Sequence, residues 1–302
     1  MIRERVLRAI ALNRTPGYHF AGNFIDLSFD RVASDDTRIS YDTGAHGGGD
    51  VGSLALAADF ALGTAIRADL DRATRTATVS LTLDFASPAL PEGRVRAASR
   101  RHGFVGEGFG RIGRGRVTLE GERGEIAHGS GVFMVLRPPP GVTMHPVPHR
   151  KRGDPEAPPL AEADLAPDEL AILRHADQAL ERAARSGQAF IRHFWGYLPQ
   201  RGEEGASCVM PNGPHVGNRV GHVQGGIMLG LAAVTAAAAL PDTWMLSAIG
   251  AAFISPGDGP AVEARSSLIH RGQRLAVVRT EVTRSDGRRV LEATSTHVAL
   301  DL

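Results

Sequence analysis

Asp59 is the only charged residue between Val51 and Ile66, in a stretch of small and apolar side chains. A carboxylate in such a setting is held above its ordinary pKa, because burial penalises the charged form. It can then act as a general base that activates water, or as a nucleophile. A second candidate lies far along the chain, at Gly225-Gly226, ahead of the apolar run Ile227-Met228-Leu229. Glycines that open a helix leave unpaired N–H groups at the positive end of the helix dipole and let a substrate come close. Such donors suit an oxygen that gains negative charge during reaction, where one is worth about 3 kcal/mol. Asn218 and Gln224 bring amide groups to the same loop, and Thr78 brings a hydroxyl to the strand after the Asp59 helix.

These residues belong to a pattern that occurs twice. Residues 51–63 read as a small-residue apolar helix, followed by an apolar strand that ends in Phe85-Ala86-Ser87-Pro88. Residues 225–233 read the same way, followed by a strand that ends in Phe253-Ile254-Ser255-Pro256, 168 positions after the first mark. Internal repetition of this kind predicts two similar domains packed as a pair within one chain. Each copy lacks what the other keeps: Asp59 becomes Ala233 in copy two, and Asn218 and Gln224 become Gly44 and Asp50 in copy one.

The 302 residues suffice for two domains of about 150 each by the usual length prior. A hydrophobic share of 42% and a charged share of 22% are those of an ordinary soluble globular chain. A net charge of +1 gives no overall drive toward nucleic acid or an anionic membrane. The single cysteine, Cys208, excludes an intrachain disulfide and a thiolate cluster. The start of the chain has no apolar core of signal length, so a cytoplasmic protein is expected. The uncharged stretch 223–240 is at or below the length that spans a bilayer, and its Gly and Ala content suits a buried helix better. No His/Asp/Glu group has metal-ligand spacing, so no metal or other cofactor is expected.

The elements that must position the candidates follow from local patterns. A short amphipathic helix is expected over 2–12, strands over 24–29 and 37–41, and a central helix over 53–69. Three or four strands should fill 76–136. Prolines at 138–140 and 158–159 predict a linker, because proline can join neither a helix interior nor a sheet interior. The order then restarts. A helix should run over 167–185, opened by Pro167 with Asp168 and Glu169 in its first turn. Strands are expected over 190–197 and 206–210, a central helix over 227–240, and further strands to the end. The expected division is 1–137, a linker over 138–165, and 166–302, each half of the α+β class.

The loop Asn218-Arg219-Val220-Gly221-His222-Val223-Gln224-Gly225-Gly226 resembles the Asn-x-x-Gly-x-x-(His/Gln)-Gly-Gly loop of hotdog-fold acyl-CoA thioesterases of the PaaI-like group. Asp59-Phe60-Ala61-Leu62-Gly63 is similar to the acid-bearing helix of that family. The resemblance extends over nearly the whole chain outside the linker. It implies a double hotdog, in which two curved antiparallel sheets, each wrapped around a central helix, join into one. It also implies an active site shared across the pair, with the Asn and Gly-Gly loop from one partner and the acid and a strand hydroxyl from the other. The step of fifteen residues from Asn218, or of eight from Gly225, leads to Ala233, and the same steps back from Asp59 lead to Gly44 and Val51. Thr78 holds the hydroxyl position in copy one, where copy two has Leu246. One complete site therefore remains, with Asp59, Thr78, Asn218, Gln224 and Gly225 as catalytic candidates. The mirror combination of Gly44, Val51, Ala233 and Leu246 should be dead.

Gly226, His222, Arg271 and Arg274 are candidates for substrate binding, the two arginines toward coenzyme A phosphates. The run from Arg94 to Arg116 reads first as a solvated strand face and second as a site for coenzyme A phosphates, and it lacks the aromatic platform of a nucleic-acid surface. Thioester hydrolysis of an acyl-CoA is the leading expectation, with no nucleic-acid or membrane partner. A hotdog hydratase, using His46 and Asp50, is a second reading. An acyl-CoA-binding protein without turnover is a third. Association of further copies through sheets or helices is left open, as are the acyl group and the choice between coenzyme A and a carrier protein.

Overall fold

The computed structural model describes residues 2–44, 46–71, 74–87 and 91–300. Ala45 of the Gly-rich loop and Pro88 of the first Phe-x-Ser-Pro mark lie outside the described residues. The first half runs α1 (Ile2–Asn13), α2 (Phe20–Phe24), β1 (Ser28–Arg31), β2 (Thr37–Asp42), α3 (Val51–Arg67), β3 (Arg75–Phe85), β4 (Arg94–Val105), β5 (Ile112–Gly121) and β6 (Gly124–Leu136). The second runs α4 (Pro167–Ser186), α5 (Phe190–Trp195), β7 (Gln200–Arg201), β8 (Gly205–Pro211), α6 (Gly225–Ala238), β9 (Trp244–Phe253), β10 (Ala261–Arg271), β11 (Leu275–Arg284) and β12 (Arg289–Ala299).

The strands form one 12-stranded sheet in the order β1-β2-β4-β5-β6-β3-β9-β12-β11-β10-β8-β7. Its two halves meet where β3 pairs antiparallel with β9, Ser80 opposite Ala252 and Asp84 opposite Ala248. Thr82 faces Gly250 at the middle of this seam. These two residues stand at the same 168-position offset as the Phe-x-Ser-Pro marks, so equivalent residues of the two copies face each other across an internal two-fold axis. This is the double hotdog of the sequence expectation: an α+β fold with a curved antiparallel sheet around a central helix in each half.

The central helices α3 and α6 are apolar on nearly all sides because they are buried on nearly all sides. Leu54, Leu56, Ala57, Ala58, Leu62, Ile227, Leu229, Leu231 and Ala232 are all 1% exposed or less. The two helices cross closely at small residues. A Cβ on Gly226 would stand 2.5 Å from the Ala55 carbonyl oxygen and the Leu56 backbone, and one on Gly230 would stand 2.6 Å from Gly52 Cα. Tyr197 fills the crossing, its hydroxyl donating to the Ile227 carbonyl at 2.6 Å. This contact carries residues from one copy to within reach of the other.

One expected strand starts late and another is a helix. Phe24 closes α2 and only Ser28 begins β1, while Phe190 to Trp195 form α5. Aromatic residues favour strands, but here they stack at helical spacing. The Phe20 and Phe24 rings lie 5.9 Å apart and those of Phe190 and Phe194 5.0 Å apart. Gly196 then ends α5 in the left-handed conformation, with φ 78°.

Residues 137–161 carry no helix or strand, and they run over the surface of the first half. The Phe29 N–H donates to the Arg150 carbonyl at 2.7 Å, and Arg150 pairs with Asp26.

Candidate active site

Asp59 projects from the middle of α3 and is 7% exposed. Its carboxylate is held by groups from both copies. The Thr78 hydroxyl, on β3, donates to Oδ1 at 2.8 Å. Gln224 Nε2, from the second copy, donates to Oδ2 at 2.5 Å. The Gly226 N–H, at the N-terminus of α6, also points at this carboxylate. Burial nevertheless outweighs these three donors and lifts the Asp59 pKa to about 6.

Gln224 has two functions. It is the N-cap of α6, and its Oε1 accepts the Ile227 N–H at 3.0 Å. That bond fixes the amide, so its nitrogen must turn to Asp59. Gly225 is the first residue of α6, where an N–H has no partner inside the helix. The space beside it is narrow: a Cβ there would lie 3.0 Å from Thr78 Oγ1 and 3.3 Å from Asp59 Oδ2. Asn218 shapes the loop, its Oδ1 accepting the N–H groups of Val220 at 2.9 Å and His222 at 3.2 Å. Its amide nitrogen is the part left for a ligand.

Asp59, Thr78, Asn218, His222, Gln224 and Gly225 line one cavity of about 420 Å³. Phe60, Phe133, Met134, Leu136, Met228 and Phe253 supply much of its apolar wall. Met144 and Val147 reach it from the segment between the two halves, and Arg219 ties that segment down by donating to the His145 carbonyl at 2.9 Å. His222 is half-buried, and burial lowers its pKa.

Arg271 and Arg274 do not line this cavity. They lie at the β10–β11 turn, where Arg271 sits over the Trp244 ring at 5.8 Å. Three other arginines line it: Arg67 in the last turn of α3, Arg75 at the start of β3, and Arg219 in the loop. His19, stacked on Phe60 at 4.4 Å, lines it too, its pKa lowered to about 3 by burial with Arg219 and Arg67 adding to the effect. No local pattern marks these four in the sequence. Only Arg219, inside the quoted loop, lay beside a motif.

The His46–Asp50 pair is not assembled. His46 lines a separate cavity of about 270 Å³ with Arg5, Asn23 and Arg150, and its Nδ1 lies 3.1 Å from Arg5 Nη1. Asp50 caps α3 instead, accepting the Ser53 N–H at 2.8 Å. Among the described residues no group of three or more His, Cys, Asp and Glu side chains could hold a metal ion. No described helix is long and apolar enough to cross a membrane.

Comparison with known proteins bears on this arrangement. Residues 214–298, which include Asn218, Gln224 and Gly225, match the family model of the acyl-CoA thioesterase N-terminal domain. Over that stretch the chain is similar to acyl-CoA thioesterase domains. Solved hotdog structures parallel it over most of its length. A candidate oleoyl thioesterase from Lactobacillus plantarum covers 89% of this chain with 98% of its own, at 10% identity and a TM-score of 0.54. A hotdog-fold protein of unknown function from Alicyclobacillus acidocaldarius covers 94% with 99% of its own, at 12% identity and a TM-score of 0.53. At such identities these two show the fold alone. No curated protein matches the chain. The matched stretch includes the Gly-Gly loop, and Asp59 lies outside it.

Proposed function

We propose that the protein hydrolyses an acyl-CoA thioester at one composite site, built from Asp59 and Thr78 of the first copy and Asn218, Gln224 and Gly225 of the second. The observation that carries this reading is the Gln224–Asp59 bond between side chains 165 positions apart, beside a helix N-terminus and a cavity. The Gly225 N–H would hold the thioester oxygen as it gains charge. Asp59, ionised above about pH 6, would take the proton of a water that attacks the carbonyl, and the C–S bond would then break, the proton passing to the departing thiolate; or it would attack the carbonyl itself, expelling the thiolate and leaving an anhydride that water then hydrolyses to the free acid. Thr78 and Gln224 each donate to one of its oxygens and so fix its orientation. The PaaI-like character rests on the loop pattern, and the division at a linker over 138–165 on its prolines and the lack of helix or strand over 137–161.

The test is free-thiol release from short, long and aromatic acyl-CoAs by the wild type and by Asp59→Asn. Turnover that is lost in the variant supports the site and identifies the acyl class. Turnover that survives removes Asp59 from the chemistry, and absence of turnover on every acyl group overturns the hydrolase reading.

A further inference from the structure

Three guanidinium groups share the cavity of Asp59, and among the described residues none has a carboxylate partner. Elsewhere on the molecule arginines are commonly paired, as Arg101 is with Asp69 and Arg279 with Glu292. Among the described residues Arg67 makes no ion pair, and the charged group acting on it is another cation, Arg219. Arg75 keeps its Nε buried without a hydrogen-bond partner. Arg219 spends one nitrogen on the His145 carbonyl. Burial lowers the pKa of all three, that of Arg67 to about 10. Bringing unpaired cations together in a partly dry cavity is costly, and an anionic ligand would repay that cost.

Their position relative to Asp59 follows from the fold. Arg67 lies eight residues beyond Asp59 on α3, about 12 Å along the helix axis. The chain then turns, and β3 runs back from Arg75 to Thr78, about 10 Å along the strand. Arg67 and Arg75 therefore stand at the same end of the cavity, and Asp59 and Thr78 meet at the other. The mirror half has no such end. α6 is 14 residues long against 17 for α3, and at the repeat offsets Arg67, Arg75 and Arg219 correspond to Pro241, Thr243 and Ala45. The arginines occur with the acid and not with its decayed counterpart.

We infer that Arg67, Arg75 and Arg219 form an anion subsite, which binds a negatively charged group of the substrate about 12 Å along the cavity from the scissile carbonyl. This rests on the proposed hydrolase site for the position of the carbonyl, but not for the binding itself. The anion has two chemical sources: a phosphate of the coenzyme A arm, or a carboxylate at the far end of the acyl chain.

Calorimetry with the whole protein separates them without any turnover. Free coenzyme A and an α,ω-dicarboxylate are the two probes, titrated into the wild type, Arg67→Met/Arg75→Met and Arg67→Lys, with thermal melting as the folding control. The expected result is that the wild type binds one probe, that the double variant binds it at least tenfold more weakly, and that the lysine variant retains part of the affinity. Preference for coenzyme A assigns the phosphate, and preference for the dicarboxylate assigns the acyl end. Binding of neither probe by the wild type, or equal binding by a folded double variant, overturns the subsite. If the double variant unfolds, Arg219→Met is read in its place against the same outcomes. Because the readout is binding, an inactive Asp59 site and an absent anion subsite give different results.

Discussion

The two loop–helix junctions of the molecule begin alike and end differently. Asp50 opens α3 and Gln224 opens α6 by the same bond, a side-chain oxygen that accepts the N–H three residues on. The other end of each side chain differs. Gln224 turns an amide donor to Asp59 on the opposite helix. Asp50 has its Oδ2 buried without a hydrogen-bond partner, and the counterpart of Asp59 on α6 is Ala233, itself 1% exposed. Either residue can start a helix. Of the two, only the amide can both cap one helix and donate to a carboxylate on the next. The cap is the part the fold requires, so it survives in both copies. The outward donor is the part a catalytic site would require, and it survives in one.

The largest expected effect comes from removing the acid. Asp59→Asn should lower kcat by roughly 10² to 10⁴, the usual worth of a positioned general base. The same variant should be more stable at pH 8. The folded pKa of Asp59, about 6, is above its ordinary 3.8, so ionisation costs the folded state. That cost is absent below pH 3.8, grows between there and 6, and is complete above. At 1.36 kcal/mol per pKa unit it reaches about 3 kcal/mol, which denaturant unfolding can read as a gain of about 1–3 kcal/mol after lost hydrogen bonds. Activity of the wild type should rise with pH through about 6. Thr78→Val removes a donor that lowers this pKa, so its rising limb should move to higher pH.

Installing an acid in the decayed junction tests whether the two are equivalent. Ala233→Asp should cost about 3 kcal/mol or more, because it buries a carboxylate where the repeat puts Asp50 in place of the Gln224 amide. Asp50→Gln in the same chain should recover about half, by recreating the Gln224 arrangement. A double-mutant cycle with no coupling would mean that the repeat offset does not describe the geometry here.

Smaller effects separate the two helix starts. Gly225→Ala places a Cβ 3.0 Å from Thr78 Oγ1 and should reduce kcat about 10- to 100-fold, with stability changed by about 1 kcal/mol or less. Val51→Ala, at the matching position of α3, should leave thiol release unchanged. Asp50→Asn should leave activity unchanged and gain stability relative to the wild type as pH rises, read by denaturant unfolding across pH. Burial raises the Asp50 pKa, so its ionisation destabilises the fold as pH rises through that value, and an amide escapes this.

Much of the site was legible because its signals are short-range. A lone acid in an apolar run, a glycine pair ahead of another, and a Gln one residue before it are each contained within a few positions. Their division between two repeats implied that the halves must meet. The strand readings at Phe24 and Phe190 failed for a physical reason: aromatic content favours strands, and the ring stacking that makes these segments helical is visible only in three dimensions.

By itself the sequence determined the double α+β architecture, the asymmetry of the two copies, and the acid, hydroxyl and amide set now found together. Periodicity, caps and repeats are local properties, so they can be read along a chain. The tertiary structure alone decided that Gln224 bonds Asp59, that His46 and Asp50 serve different places, and that Arg67, Arg75 and Arg219 line the cavity while Arg271 and Arg274 do not. Which cations share a cavity depends on where a helix ends and its strand turns back, and no spacing along the chain encodes that distance.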